Sequence, residues 1–176
     1  MEHTCAFTGH RYLCRIPKTK YQYLLNAVKH NIYELYISCG VRTFLTGMAL
    51  GADMLCAQAV LDMRRSYPDI KLVCVLPCLN QTQLWNDADR AKYRRIINCA
   101  SKVICLSDSY YDGCMQVRNK YMVSHADMLL AVYDGRCGGT QNTYRCAKRS
   151  RKAIIRINPK DYSTDWSDFS GVLFRY

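Results

Sequence analysis

Apolar residues in this chain alternate between short, nearly continuous runs and longer stretches with helical spacing, and the pattern switches about six times. The short runs fall at residues 4–7, 43–45, 71–76, 102–106, 128–133 and 153–157. Runs such as Leu72-Val73-Cys74-Val75-Leu76 lack the polar alternation of a half-solvated strand and match strands covered on both faces. Between them the spacing predicts helices. The first opens at Pro17 and carries Tyr21, Leu24, Leu25, Val28, Ile32, Leu35 and Cys39 on one stripe, with Gly40 placed as a helix-ending glycine. Further helices are predicted over about 49–65, ending before Tyr67-Pro68-Asp69, then over about 82–99, over 115–124, and from about Thr140 onward. Residues 107–113 are polar and turn-rich, and 158–176 combine turn residues with isolated aromatics, as in a packed C-terminal tail. Strands alternating with helices predict one α/β domain over 1–176, a three-layer sandwich around a mostly parallel sheet of about six strands.

Three of the predicted strands run straight into glycine-bearing turns. Thr8-Gly9-His10-Arg11 follows the first, Thr46-Gly47-Met48-Ala49-Leu50-Gly51-Ala52-Asp53 the second, and Asp134-Gly135-Arg136-Cys137-Gly138-Gly139-Thr140 the fifth. Glycine lets a backbone turn sharply and bring amide groups close to an anion, and a helix start just beyond adds the positive end of its dipole. Right-handed crossovers place all such turns on one edge of a parallel sheet. The expectation is a phosphate-bearing ligand at that edge. Within the second turn, Asp53 has two readings: a complement to the helix dipole, or an acceptor for a ribose or base donor. Gly138-Gly139-Thr140 combines close backbone approach with a capping hydroxyl, and His10 with Arg11 adds an imidazole and a cation. Gln81 and Trp85, placed one helical turn apart, form an amide–indole pair for a base or a staple for the helix. Arg118-Asn119 offers a bidentate anion contact or a plain surface pair.

Composition narrows the classes. At 176 residues with 49% hydrophobic content, the chain has enough apolar material for a core, which excludes disorder. The start carries no basic and apolar leader, and no apolar run nears the ~18 residues of a membrane span, so a soluble cytoplasmic protein without membrane attachment is expected. The eleven cysteines are odd in number, stand singly, and form no C-x-x-C pair. That pattern predicts free thiols rather than disulfides, and no metal site. The net charge of +11 suits solvated helix faces, an anionic small ligand, or a nucleic-acid surface. Glu2 and Glu34 are the only glutamates, so acid–base chemistry would fall to an Asp or a His.

The turn set, with Pro77, Gln81, Trp85, Arg118 and Asn119 in matching order over about residues 4–157, resembles the YpsA/YoqJ-like branch of the SLOG superfamily. The resemblance implies a Rossmann-like fold related to the DNA-processing protein DprA and to the LOG phosphoribohydrolases. It implies binding or sensing of a nucleotide-type ligand, a nucleoside phosphate or one derived from ADP-ribose or NAD, with no separate cofactor, and a homodimer as a plausible assembly. Where LOG enzymes carry the glutamate of P-G-G-x-G-T-x-x-E, this chain has Thr143, and the preceding proline is absent. That departure leans against the LOG activity. Two alternatives remain: hydrolysis of an N-glycosidic or phosphate bond using His10, Asp53 or Asp134, and DprA-like single-stranded DNA binding. The net charge and fourteen tyrosines fit the second of these.

Overall fold

In a computed structural model describing residues 2–166 and Asp168, the predicted alternation is realised as a seven-stranded sheet. The strands are β1 (His3–Gly9), β2 (Val41–Thr46), β3 (Lys71–Leu76), β4 (Lys102–Cys105), β5 (Met128–Val132), β6 (Ala153–Ile157) and β7 (Thr164–Asp165). Their order is β4-β3-β2-β1-β5-β6-β7, parallel throughout except for β7, which pairs antiparallel with β6. The helices are α1 (Lys18–Cys39), α2 (Ala52–Met63), α3 (Asp87–Cys99), α4 (Cys114–Ser124) and α5 (Gly139–Arg149), and a short 3-10 segment covers Arg11–Arg15.

Strand side chains alternate between two cores because successive residues of a strand face opposite sides. Cys5, Phe7, Phe44, Leu72, Leu130 and Ile155 pack with α1, α2 and α3. Ala6, Leu45, Val73, Val75, Leu129 and Ile154 pack with α4 and α5. The chain winds from β1 outward to β4 with helices on the first face, then crosses to β5 and onward to β6 with helices on the second. The strand order therefore reverses between β1 and β5, the position where doubly wound sheets open a crevice beyond their carboxyl ends.

Most helix limits follow the local signals. Gly40 ends α1 in a left-handed conformation (φ 65°), with its N–H donating to the Leu35 carbonyl. Two elements differ from the sequence reading. The third helix begins at Asp87 rather than near residue 82, because Asn86 caps it: its Oδ1 accepts from the Asp89 N–H at 2.8 Å. The tail contributes β7, whose Thr164 pairs with Ile157, so the sheet has one strand more than expected. The remainder of the expected packed tail, Ser167 and residues 169–176, lies outside the described residues.

Candidate functional site

The loops after β1, β2 and β5 meet at the reversal point around a cavity of about 300 Å3. Thr8, Gly9, His10, Arg11, Asp53, Arg118, Asn119, Gly139 and Thr140 line it, together with Ala49. The first and last of these loops sit side by side because β1 and β5 are paired, with Gly9 opposite Val132.

The first loop is held by α2. The Ala52 N–H donates to the His10 carbonyl at 3.2 Å, which requires the start of α2 to press directly against that loop. Gly51 permits this contact: its φ is +83°, and a Cβ there would collide with the His10 and Arg11 carbonyl oxygens. Beyond it, Arg11 enters the 3-10 segment, an element with no clear periodic signal in five residues.

The second loop is engaged largely with itself and with distant side chains. The Thr46 hydroxyl donates to the Asp53 carbonyl (3.0 Å) and accepts from the Met48 N–H (3.2 Å), and the Asp53 carboxylate accepts from the Ala49 N–H (3.2 Å). Thr46 and Met48 are fully buried, with Met48 held at φ 55°. The Gly47 carbonyl accepts from both Arg118 Nη1 and Gln81 Nε2. A Cβ at Gly47 would overlap the Arg118 guanidinium, so this glycine makes room for an arginine 71 residues away. These contacts differ from the expectation that Thr46 and the following amides face an anion: the Met48 and Ala49 amides are already bonded within the loop, and Thr46, Gly47, Met48 and Gly51 stand behind the cavity wall.

Arg118 and Asp53 form a buried pair in that wall, Nη1 lying 3.8 Å from Oδ2. Burial pushes the Asp53 carboxyl up, against the Arg118 charge, the Ala49 N–H and the Arg11 charge, which favour its ionised form. Burial likewise lowers the Arg118 pKa, against the favourable Asp53 charge. Arg118 Nε donates to Asn119 Oδ1 (2.7 Å), Asn119 Nδ2 donates to the Thr143 hydroxyl (2.9 Å), and that hydroxyl donates to the Gly139 carbonyl (3.0 Å). Thr143 thus ties the first turn of α5 to α4. The sequence places Arg118-Asn119 on the right helix but carries no signal for this chain of bonds, because bonded partners in it stand up to 24 residues apart.

The third loop leads into α5. A Cβ on either Gly138 or Gly139 would meet no atom within 4 Å, but Gly138 alone is held at φ 141°, a backbone state that side chains rarely adopt. Thr140 is buried at the cavity edge. Asp134 lies beside it in a small charged cluster: its carboxylate is 2.6 Å from His10 Nε2, 3.1 Å from Arg136 Nε and 3.6 Å from Lys160 Nζ. Burial alone raises the Asp134 pKa, but the Arg136 N–H, the His10 imidazole and the Arg136 guanidinium outweigh it and leave the carboxyl below its ordinary value. His10 is further held between the rings of Tyr12 and Tyr133, 5.2 and 5.5 Å away.

Gln81 and Trp85 lie apart from this cavity and border the next one. They occupy the turn before α3 rather than one helical face: Gln81 bonds the Gly47 and Met48 carbonyls, and Trp85 stands edge-on to Tyr93. No group of three or more His, Cys, Asp or Glu side chains among the described residues is arranged to hold a metal ion, and no helix there is long and apolar enough to cross a membrane.

A doubly wound α/β protein with a polar crevice at the strand-order reversal is the class defined by this fold and site. Within that class the chain belongs to the YspA SLOG family, whose model matches residues 6–161. A UPF0398 protein of Staphylococcus haemolyticus is 29% identical over 145 residues, spanning 81% of this chain and 74% of the relative. The SPbeta prophage-derived protein YoqJ of Bacillus subtilis is 30% identical over 155 residues, spanning 80% of this chain and 91% of YoqJ. Among solved structures, DNA processing protein A from Helicobacter pylori, described for its single-stranded DNA binding mode, superposes with a TM-score of 0.61 at 14% identity. That superposition covers 94% of this chain and 70% of the other. DprA from Streptococcus pneumoniae gives a TM-score of 0.62 at 15% identity, with this chain spanning about half (53%) of its length. At these identities the structural likeness concerns the fold.

Proposed function

We propose that this protein binds a nucleotide-type ligand, a nucleoside phosphate or an ADP-ribose-like molecule, in the crevice between β1 and β5. The observation that carries this reading is the convergence of the Thr8–Arg11 loop, the start of α5 at Gly139-Thr140, and Arg118 on one cavity. An anion there meets the positive end of an eleven-residue helix and the charges of Arg11 and Arg118. The open space in front of Gly139 leaves its backbone approachable by a phosphate. Asp53, already turned toward the Ala49 N–H and Arg118, acts in this reading as the charge that positions Arg118 rather than as an acid or base.

The test is isothermal titration with AMP, ADP, ADP-ribose and NAD, with chromatography of the recovered ligands. Saturable binding of an intact nucleotide supports the reading. Absence of heat and of thermal stabilisation across the panel overturns it, and release of free base or ribose phosphate replaces binding with hydrolysis.

One observation favours a second reading, single-stranded DNA binding: a net charge of +11 on a fold shared with a DprA described for that activity. Fluorescence anisotropy with a labelled oligonucleotide tests it. Affinity falling steeply with salt supports a nucleic-acid surface, because neutralised phosphates release counterions. No binding at low salt removes it.

A further inference from the structure

A second cavity of about 560 Å3 adjoins the first, and the two share Arg11 and Ala49 in their walls. Its lining has a different chemistry: Trp85, Tyr110 and Leu84 give it aromatic and aliphatic surface, where the first cavity is bordered mainly by polar groups and backbone. Leu84 is 95% exposed and Tyr110 58% exposed, an uncovered apolar rim at the mouth of a cavity.

Gln81 also lines this cavity and is only 8% exposed. Its Nε2 donates to two carbonyls, Gly47 at 3.2 Å and Met48 at 3.0 Å, so the amide cannot turn over without setting its oxygen against both. Its Oε1 has no hydrogen-bond partner, one of two such buried side-chain atoms among the described residues. That atom is itself buried, so a donor entering from the cavity reaches it only as the side chains around it give way; a buried acceptor left unpaired is costly, and pairing it recovers that cost on binding.

We propose that the second cavity seats the base of the same ligand, and that Gln81 selects bases carrying an exocyclic amino group over their keto counterparts. The proposal rests on the nucleotide reading of the first cavity. An amino group donates to Oε1; a carbonyl in its place sets oxygen against oxygen, and the committed Nε2 cannot compensate. The ring then has Trp85 and Tyr110 available for stacking, and Arg11 stands where the two cavities join, within reach of the link between base and phosphate.

The experiment compares matched pairs on the wild-type protein by titration: AMP against IMP, and CMP against UMP. At least ~10-fold tighter binding of the amino member in each pair is expected, the scale of one net hydrogen bond gained at a buried acceptor. In Gln81→Leu the ratio is expected to collapse to within about 2-fold, since the distinguishing acceptor is gone. A Trp166→Phe protein, leaving Trp85 as its tryptophan, reports base placement independently of the Gln81 variant's stability: saturating AMP should quench or shift its emission. IMP binding as tightly as AMP overturns this inference and leaves the nucleotide reading standing, as does unchanged Trp85 emission at saturation. Failure of every nucleotide to bind overturns both.

Discussion

The Arg118 guanidinium and the Asp53 carboxylate face each other at 3.8 Å with both side chains almost wholly buried, joining α4 to the first turn of α2 directly behind the crevice. The pair is held by more than charge: Arg118 also bonds the Gly47 carbonyl and Asn119, and Asp53 bonds the Ala49 N–H. Removing one member of such a pair leaves the other as an uncompensated buried charge. Arg118→Leu should therefore destabilise the fold by about 3–5 kcal/mol, read as a lowered urea midpoint. Asp53→Asn in the Arg118→Leu background should recover part of that loss by removing the stranded carboxylate. Additive losses in the double variant would show that the two side chains do not depend on each other.

Both glycines at the start of α5 face open space, but only Gly138 is held in a backbone state that side chains rarely adopt. Gly138 adopts φ 141°, so Gly138→Ala should cost roughly 1–3 kcal/mol of stability. The sequence motif treats Gly139 as its equal, but Gly139 has no such backbone restriction, and nothing lies within 4 Å of a Cβ there. Gly139→Ala should leave the unfolding free energy within about 0.5 kcal/mol of wild type. If a phosphate approaches that backbone, the same change weakens nucleotide binding by ~10-fold or more, the equivalent of about 1.4 kcal/mol. Unaltered affinity in Gly139→Ala would place the anion elsewhere.

Asp134 makes stability depend on pH in a defined direction. Its folded pKa lies below the unfolded value of about 3.9, so its ionised form adds stability that is fully present above that value. This stability is lost as pH falls through the lower folded value and the carboxylate takes up its proton. Urea midpoints measured from pH 6 to pH 2 should fall less steeply below about pH 4 for Asp134→Asn than for wild type. Identical acid slopes would remove Asp134 from the account.

The thiols should divide by accessibility. Cys14, Cys99, Cys105 and Cys137 are exposed, Cys146 is half-buried, and Cys5, Cys39, Cys56, Cys74, Cys78 and Cys114 are buried. Burial pushes the Cys74 thiol up to about 12 and the Cys5 thiol higher still, so neither supplies thiolate at neutral pH. Titration with a chromogenic disulfide reagent should show four fast thiols in the native protein and all eleven after unfolding. A deficit after unfolding without reductant would reveal disulfides.

Local chemistry was readable wherever its cause was local. Gly40 ends α1 because the chain there needs a left-handed residue, and the strands declare themselves because burial on two faces leaves no polar alternation. The residues from Gln81 to Trp85 fit a helical spacing and draw the predicted helix after β3 too far back, while the cap that starts α3 is a single side-chain bond from Asn86. The lower-contrast element, β7, is two residues long and forms only because β6 presents an open edge.

The sequence by itself determined the alternation of strands and helices, and with it the edge of the sheet on which the glycine turns of β1, β2 and β5 lie, because periodicity and crossover handedness are properties of the chain. Only the tertiary structure decided what each glycine serves. Gly47 accommodates Arg118, Gly51 lets α2 press on the first loop, and Gly139 is left facing the crevice. All three are glycines in post-strand turns, and the atoms that distinguish them come from distant parts of the chain or from open space, so no local pattern could separate them.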